Sequence, residues 1–559
     1  MSASTIRSRC RGTGLLNDPG SVPEPRGFTE ETPALRTFTS FNCAASSDLI
    51  MIAHFRDQGM LVRNNGLHTS PGLETGQLGS NALRVWLPFA FAATAYLNLL
   101  VFNGRLLIDH DIYWHVVVGQ WIIDHRAVPH QDPFSSTMLG AHWITSEWLS
   151  EVLYYFAFRL AGWAGPVVLA ALALGLTFFL LTRLLLRRLP NLAVMILVGA
   201  AMALTAPHML ARPHVLVFPL MVLWASAVVD AAEEQRAPSL AYLPLITLWA
   251  NLHGSFTFGL ALLAPFAVEA LWGAEAQARR SVFIQWLRFG VLATLAACIT
   301  PYGPESMEVL FRLFRLGDAL SKINEWAPMD FASFGSFQIC LIGGLAYLLY
   351  TGLKLPPLRI IVLLAVVYQT FMHRRYVDIL ALVAPFFIAG PLSLHLAPVA
   401  IPRPDGTLAA SRRAFAVTAV LMVVSAVVLA MKTDFTPPFT PRQAVEKMRE
   451  LNTGRVLNEY YFGGYLIYVG IPPFIDGRAE LYGRDFINRF LNACGLVDVA
   501  DFVRLLDEYK IETTLFRPGT AAIGLLDRLD GWERVYSDDI AVVHHRRRAA
   551  SEKEPGASH

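Results

Sequence analysis

Hydrophobic residues in this chain come in long blocks separated by short polar breaks, a pattern that begins near residue 83 and ends near residue 431. The first block runs from about Leu83 to Ile108, with Arg84, Asn98, Asn103 and Arg105 as its main interruptions. A helix needs about 20 mostly apolar residues to cross the hydrocarbon core of a bilayer. Further blocks at 165–186, 191–207, 212–231, 240–252, 254–272, 284–300, 337–352, 358–372, 376–394 and 414–431 predict about eleven transmembrane helices within a domain spanning 83–431. The Asn251-Leu252-His253-Gly254 break divides the least regular pair of blocks.

The flanks read differently. Residues 1–80 are polar, rich in Ser, Thr, Gly, Pro and Arg, and lack the charged-then-apolar layout of a secretory signal. They are expected to form a disordered cytoplasmic leader. Met51 and Met60 offer later starts, so the first 50–60 residues need not belong to the native chain. After the last block, Thr436-Pro437-Pro438-Phe439-Thr440-Pro441 reads as a stiff exit linker. Beyond it, 435–548 alternates helical and strand patterns. Helices are expected at 442–451 and 501–510. Strands are expected at 455–457, 465–468 and 513–516, with a hairpin over 532–544. That predicts a small α/β domain outside the membrane, ended by a disordered tail at 549–559.

Composition agrees with this class. The chain is 54% hydrophobic and only 16% charged, with mean hydropathy +0.42, whereas soluble domains carry about 25% charged residues. A net charge of +2 supplies no basic field for nucleic acid. The five cysteines form no CxxC pair and no even framework. Lys and Arg set the orientation: Arg183, Arg187, Arg188, Arg279, Arg280, Arg288, Lys354, Arg359, Arg403, Arg412 and Arg413 fall on one side if the N-terminus is cytoplasmic. The long loop 109–164, the loop 301–336 and the C-terminal domain then lie on the other side. Arg374 and Arg375 break the trend by lying on that external side.

The 109–164 loop is richest in candidate chemistry. It opens with Asp109-His110-Asp111-Ile112-Tyr113-Trp114-His115 and continues to Asp132, Trp143, Glu147 and Trp148. Carboxylates just past a membrane span are costly unless solvated, paired or bound to a cation. With nearby imidazoles and aromatic rings they suit a sugar-and-cation surface, although acidic residues and aromatic belts also simply mark interfaces. His208 and His214 flank Arg212-Pro213, and His253 sits at the Asn-Leu-His-Gly break. No spacing matches a known zinc motif. Asp476-Gly477-Arg478 is either a sugar-binding loop or a salt bridge closing a tight turn. No P-loop and no dinucleotide fingerprint occurs.

Asp109-x-Asp111, Trp114-His115, His130-x-Asp132-Pro133-Phe134 and Trp143-x-x-x-Glu147-Trp148-Leu149 resemble bacterial membrane glycosyltransferases of the C superfamily (GT-C), relatives of protein O-mannosyltransferases and aminoarabinose transferases. The likeness continues through Asn251-Leu252-His253-Gly254, Pro301-Tyr302-Gly303, Glu325-Trp326, Arg374-Arg375, Asn458-Glu459-Tyr460, Gly463-Gly464-Tyr465 and Phe474 to Arg478, so it covers about 83–546. Many members carry adjacent acidic residues where His110 here separates two. The resemblance implies a GT-C-like enzyme of the bacterial plasma (inner) membrane. It would move a sugar from a polyprenyl-phosphate donor to a protein, lipid or glycan acceptor on the extracytoplasmic side. It implies Asp109 or Asp111 as catalytic base, and Trp114, His115, Asp132, Glu147, Arg212, His253, Arg374, Arg375, Asp476 and Arg478 as substrate-binding residues. It also implies a divalent cation, Mg or Mn, with Asp109, Asp111 and His110 as candidate ligands. A secondary transporter and a non-catalytic scaffold with a partner-binding external domain are the competing readings; a glycan polymerase or ligase would use the same donors.

Overall fold

The computed structural model describes residues 71–101, 106–396, 407–431 and 437–547. The expected leader up to residue 70 and the tail from 549 fall outside them. Residues 71–80, assigned to the leader from sequence, instead start the first helix, Pro71–Val101.

Among the described residues, seven helices are long and apolar enough to cross a membrane: Ala82–Leu100, Ala164–Leu185, Asn191–His208, Pro213–Glu233, Phe256–Gly273, Arg374–His395 and Ala410–Ala430. The expected spans at 240–252, 337–352 and 358–372 are shorter apolar helices, Leu240–Leu252, Ser336–Thr351 and Pro357–Met372. The block at 284–300 lies in Arg279–Ala297, which opens on two arginines. Pro213–Glu233 is the central helix, with most of its residues buried. Ala410–Ala430 leaves Val417, Val420, Val423, Val424, Val427 and Val428 exposed, as a lipid-facing helix would.

Arg359, counted from sequence among the charges on the cytoplasmic side of the spans, is buried among the helices. Its Nη1 donates to Glu233 at 2.8 Å and its Nη2 to Glu269 at 2.6 Å, and Arg188 binds Glu233 and Asp230. Glu233 closes the Pro213–Glu233 helix, so at 1.5 Å rise per residue this ion network lies about 30 Å along the axis from Arg212.

The C-terminal region holds a four-stranded sheet, β1 (Val456–Asn458), β2 (Thr513–Phe516), β3 (Trp532–Ser537) and β4 (Val542–Arg546), in the order β1-β2-β4-β3. β1 and β2 are parallel; β4 runs antiparallel to β2 and to β3. Every residue of β2 is buried, as befits an inner strand. The helices Gly463–Tyr468, Ala479–Cys494 and Val499–Glu508 make the crossover from β1 to β2. The expected strand at 465–468 is therefore a helix. Its aromatic and β-branched content suggested extension, but the two glycines before it allow backbone contact. A β-carbon at Gly463 would collide with the Ile475 carbonyl, and one at Gly464 with the His110 carbonyl.

That contact fastens the domain to the helix Asp111–His125. Tyr113 packs against Trp163, Tyr465 and Tyr468 with ring centroids 4.7, 5.1 and 5.1 Å away. The linker joins in: the Tyr113 hydroxyl lies 2.7 Å from Thr440 Oγ1, and His110 Nε2 lies 3.0 Å from the Phe439 carbonyl.

Candidate active site

A cavity of about 1530 Å³ separates the membrane helices from the C-terminal domain. Leu262, Pro265, Ile361, Val362, Val366 and Ile379 give one part an apolar lining, and Asp109, Asp111, Glu147, Arg212, Glu325 and Arg375 give the rest a charged one. The segments that follow the two parallel strands, Tyr460-Tyr461 after β1 and Arg517 after β2, reach the same space. Carboxyl ends of parallel strands are where open sheets present their binding crevices.

Asp111 begins the helix Asp111–His125, and Asp109 Oδ1 accepts its backbone N–H at 3.0 Å. Acidic groups are favoured there by the unpaired N–H groups and the helix dipole. Arg212 precedes Pro213, the first residue of the central helix. Its carbonyl accepts from the Tyr154 hydroxyl at 2.9 Å, and Ala211 N–H bonds the Leu106 carbonyl at 2.9 Å. This pinned turn aims the guanidinium at three carboxylates at once: Nε at Asp109, Nη2 at Asp111 and Nη1 at Glu325. With all three carboxylates ionised, the group carries two net negative charges, which one bound proton or cation reduces. Burial pushes the Asp111 carboxyl up to about 8, with Asp109 and Glu325 adding to the rise and Arg212 opposing it. The Arg212 guanidinium is held firmly charged: burial works against it, and Asp109, Glu325 and Asp111 outweigh that.

Glu325 was not singled out among the site residues from sequence. It sits in the turn Asn324–Trp326, which is stitched to the next helix end by His373 Nδ1 against the Trp326 carbonyl (2.7 Å) and by Arg374 N–H to the Ala327 carbonyl (3.0 Å). His110, expected as a metal ligand, also lines the cavity but stands outside the carboxylate group. Its ring packs against the Phe439 carbonyl and Phe462.

Asp109, Asp111 and Glu325 each offer a carboxylate oxygen within 4.8 Å of the others. An all-oxygen set suits a hard cation such as Mg or Mn, and the surplus negative charge favours one. Admitting an ion requires Arg212 to release some of its contacts.

A second group lies across Arg375. That side chain reaches Glu325 at 3.5 Å and His253 Nε2 at 3.2 Å, and stacks over Trp326 at 5.2 Å. His253 Nε2 is also 3.1 Å from Glu147 Oε1. Behind Glu147, His115 Nε2 lies 3.8 Å from Oε2, and His115 Nδ1 lies 3.5 Å from Glu151. Burial pushes Glu147 up to about 7; Arg375 and Arg212 oppose the rise, Glu480 and Glu325 add to it. Burial also holds His115 well below its usual value and Glu151 well above. Asn251 fixes the frame, accepting from Trp148 Nε1 at 2.9 Å and donating to the Ile299 carbonyl at 2.9 Å.

The structure brings Asp109, Asp111, Trp114, His115, Glu147, Arg212, His253, Arg374 and Arg375 to one cavity. Arg478 also lines the cavity, but its side chain turns to Asp132 and Asp476, which do not. Arg478 donates to Asp476 at 2.8 and 2.7 Å and to Asp132 at 2.7 Å, and these ion-paired side chains have no exposure. Its guanidinium lies over Trp143 at 4.6 Å. This buried ion cluster ties the 474–478 turn to the 109–164 loop. Asn458 helps by accepting from Phe474 N–H at 2.7 Å and donating to the Ile475 carbonyl at 2.8 Å.

No protein-family model matches the chain, and no curated protein sequence matches it. Among solved structures it is similar to the archaeal oligosaccharyltransferase AglB from Archaeoglobus fulgidus, in complex with an inhibitory peptide and a dolichol-phosphate, at 12% identity and a TM-score of 0.45 over 80% of this chain and 70% of that one. A likeness that loose carries neither structure nor activity from one protein to the other.

Proposed function

We propose that the chain is a GT-C-like integral-membrane glycosyltransferase of the hexosyltransferase type. It takes a sugar from a polyprenyl-phosphate donor and passes it to an acceptor on the extracytoplasmic side of a bacterial plasma membrane, with the N-terminus cytoplasmic. One observation carries this reading: a single cavity joins an apolar wall of membrane helices to a cluster of carboxylates and arginines. A lipid-linked phosphate sugar has the same division, an apolar tail and an anionic, polar head.

In this reaction the acceptor oxygen bonds to the anomeric carbon. The bond from that carbon to the phosphate oxygen breaks, and its electron pair leaves with the phosphate. The developing negative charge needs preorganised positive groups. Arg375, braced by Trp326 and Glu325, offers two donors in the fork geometry that matches phosphate, and Arg374 and Arg212 add charge at the same wall. Asp109, Asp111 and Glu325 would hold a divalent cation, which when bound neutralises charge on the departing phosphate. Asp109 and Asp111 are thus better suited to hold a cation than to act as the base expected of them, because Arg212 already engages both.

The test uses protein reconstituted in liposomes with radiolabelled polyprenyl-phosphate sugars, acceptor extract and Mg or Mn. Label should leave the lipid. Failure with every donor would favour a transporter or scaffold.

A further inference from the structure

The charged end of the cavity holds a second acid apart from the three that surround Arg212. Glu147 occupies the N-cap of the helix Trp148–Ala161, where a side chain ordinarily turns back onto the helix's own N–H groups. It makes no such bond and faces His253. Ser255 N–H donates to His253 Nδ1 at 3.1 Å, which fixes the ring with Nε2 between Glu147 Oε1 at 3.1 Å and Arg375 Nη2 at 3.2 Å. The other Glu147 oxygen faces His115, and His115 in turn faces Glu151. His115 Nδ1 and Glu151 Oε2 are buried without a hydrogen-bond partner among the described residues. Carboxylate and imidazole therefore alternate from Glu151, which has no exposure, to Glu147 at the cavity surface.

We infer that Glu147, not Asp109 or Asp111, is the general base that takes the proton of an acceptor hydroxyl, with His253 and His115, one against each of its oxygens, as positioning residues. This rests on the transferase reading above. The step balances: the acceptor O–H bond breaks, its proton goes to a Glu147 oxygen, and its electron pair forms the bond to the anomeric carbon as the phosphate leaves with the pair of the broken bond. Glu147 is then reset by losing the proton to the phosphate or to water. Position favours Glu147. Arg375 touches Glu325 on one side and His253 on the other, so a phosphate held by that arginine lies between the cation-binding acids and the base. No guanidinium is bonded to Glu147, whereas Arg212 contacts all three other acids. The charged and titratable groups facing Glu147 are His115, Glu151, Tyr154, His253, Arg375, Arg212, Glu480 and Glu325.

The experiment compares wild type, Glu147→Gln, Glu147→Asp and His253→Asn in liposomes, with polyprenyl-phosphate carrying labelled glucose or mannose as the probe. Donor binding and transfer are measured separately across pH 5 to 9. Glu147→Gln should bind donor as wild type does and lose roughly 10²–10⁴-fold in kcat. Glu147→Asp should restore part of it. Wild-type kcat should rise with pH through about 7, and His253→Asn should move that rise. Equal kcat in wild type and Glu147→Gln overturns the inference while leaving the transferase reading standing. A wild type that consumes no donor sinks both.

Discussion

Gly477 lies so close to Asp111 that a β-carbon on the glycine would overlap the carboxylate oxygen Oδ1. The C-terminal domain therefore forms a wall of the charged pocket by backbone, at the one residue type that leaves space. Overpacking a tight site costs about 1–3 kcal/mol. Gly477→Ala should lower the melting temperature and cut transfer at least tenfold, because either Asp111 or the 474–478 turn must move. Gly199→Ala, which has open space around it, should change neither quantity.

The buried cluster of Arg478, Asp476 and Asp132 makes the seam between loop and domain sensitive to both mutation and acid. Removing one partner of a buried ion pair costs about 3–5 kcal/mol, so Arg478→Met should expose the C-terminal domain to limited proteolysis in intact liposomes. Burial alone would raise the Asp476 carboxyl, but Arg478, the Tyr482 hydroxyl and the Arg478 N–H hold it below its ordinary value. A depressed folded-state value means the stabilisation is complete above about pH 4, the unfolded value, and is lost as pH falls further. Protease susceptibility of wild type should rise below about pH 4, and Asp476→Asn should flatten that response.

Cation binding provides a test that needs no donor. Asp111→Asn and Glu325→Gln should each weaken Mn binding about tenfold or more, measured by electron paramagnetic resonance of the free ion. His110→Ala should keep the wild-type affinity, since its ring faces the linker. Equal affinity in all four proteins would exclude the carboxylate trio as the site.

Arg359 is expected to matter for folding alone. It bridges Glu233 and Glu269 from separate helices with 2% exposure, far along the central helix from the cavity. Arg359→Leu should lower thermal stability by about 3–5 kcal/mol yet leave the KM for donor unchanged in the folded fraction. A selective loss of substrate movement in that variant would instead favour a transporter.

The helical layout was legible because membrane spans are written in composition, and a run such as Ala164–Leu185 has few other uses. Asp109, Asp111, Arg212 and Arg375 were legible as charges against the expected trend beside such runs. Glu325 was harder, since it lies in a loop whose position depends on contacts with residues 371–374. The roles within the acidic motif were not readable at all. Which of His110 and its neighbours joins the carboxylate group is decided by the turn into the helix and by the Phe439 carbonyl, more than 300 residues away in sequence. The helix at 463–468 was misread for a similar reason: its glycines serve close packing against distant backbone, which no local pattern reports.

The cavity's floor is made of segments that emerge late from the ribosome. Asp109 is synthesised long before Tyr460, Gly477 and Arg517, which complete the enclosure. A chain that ends before those segments keeps its apolar helices but leaves its acids and arginines uncovered on that side.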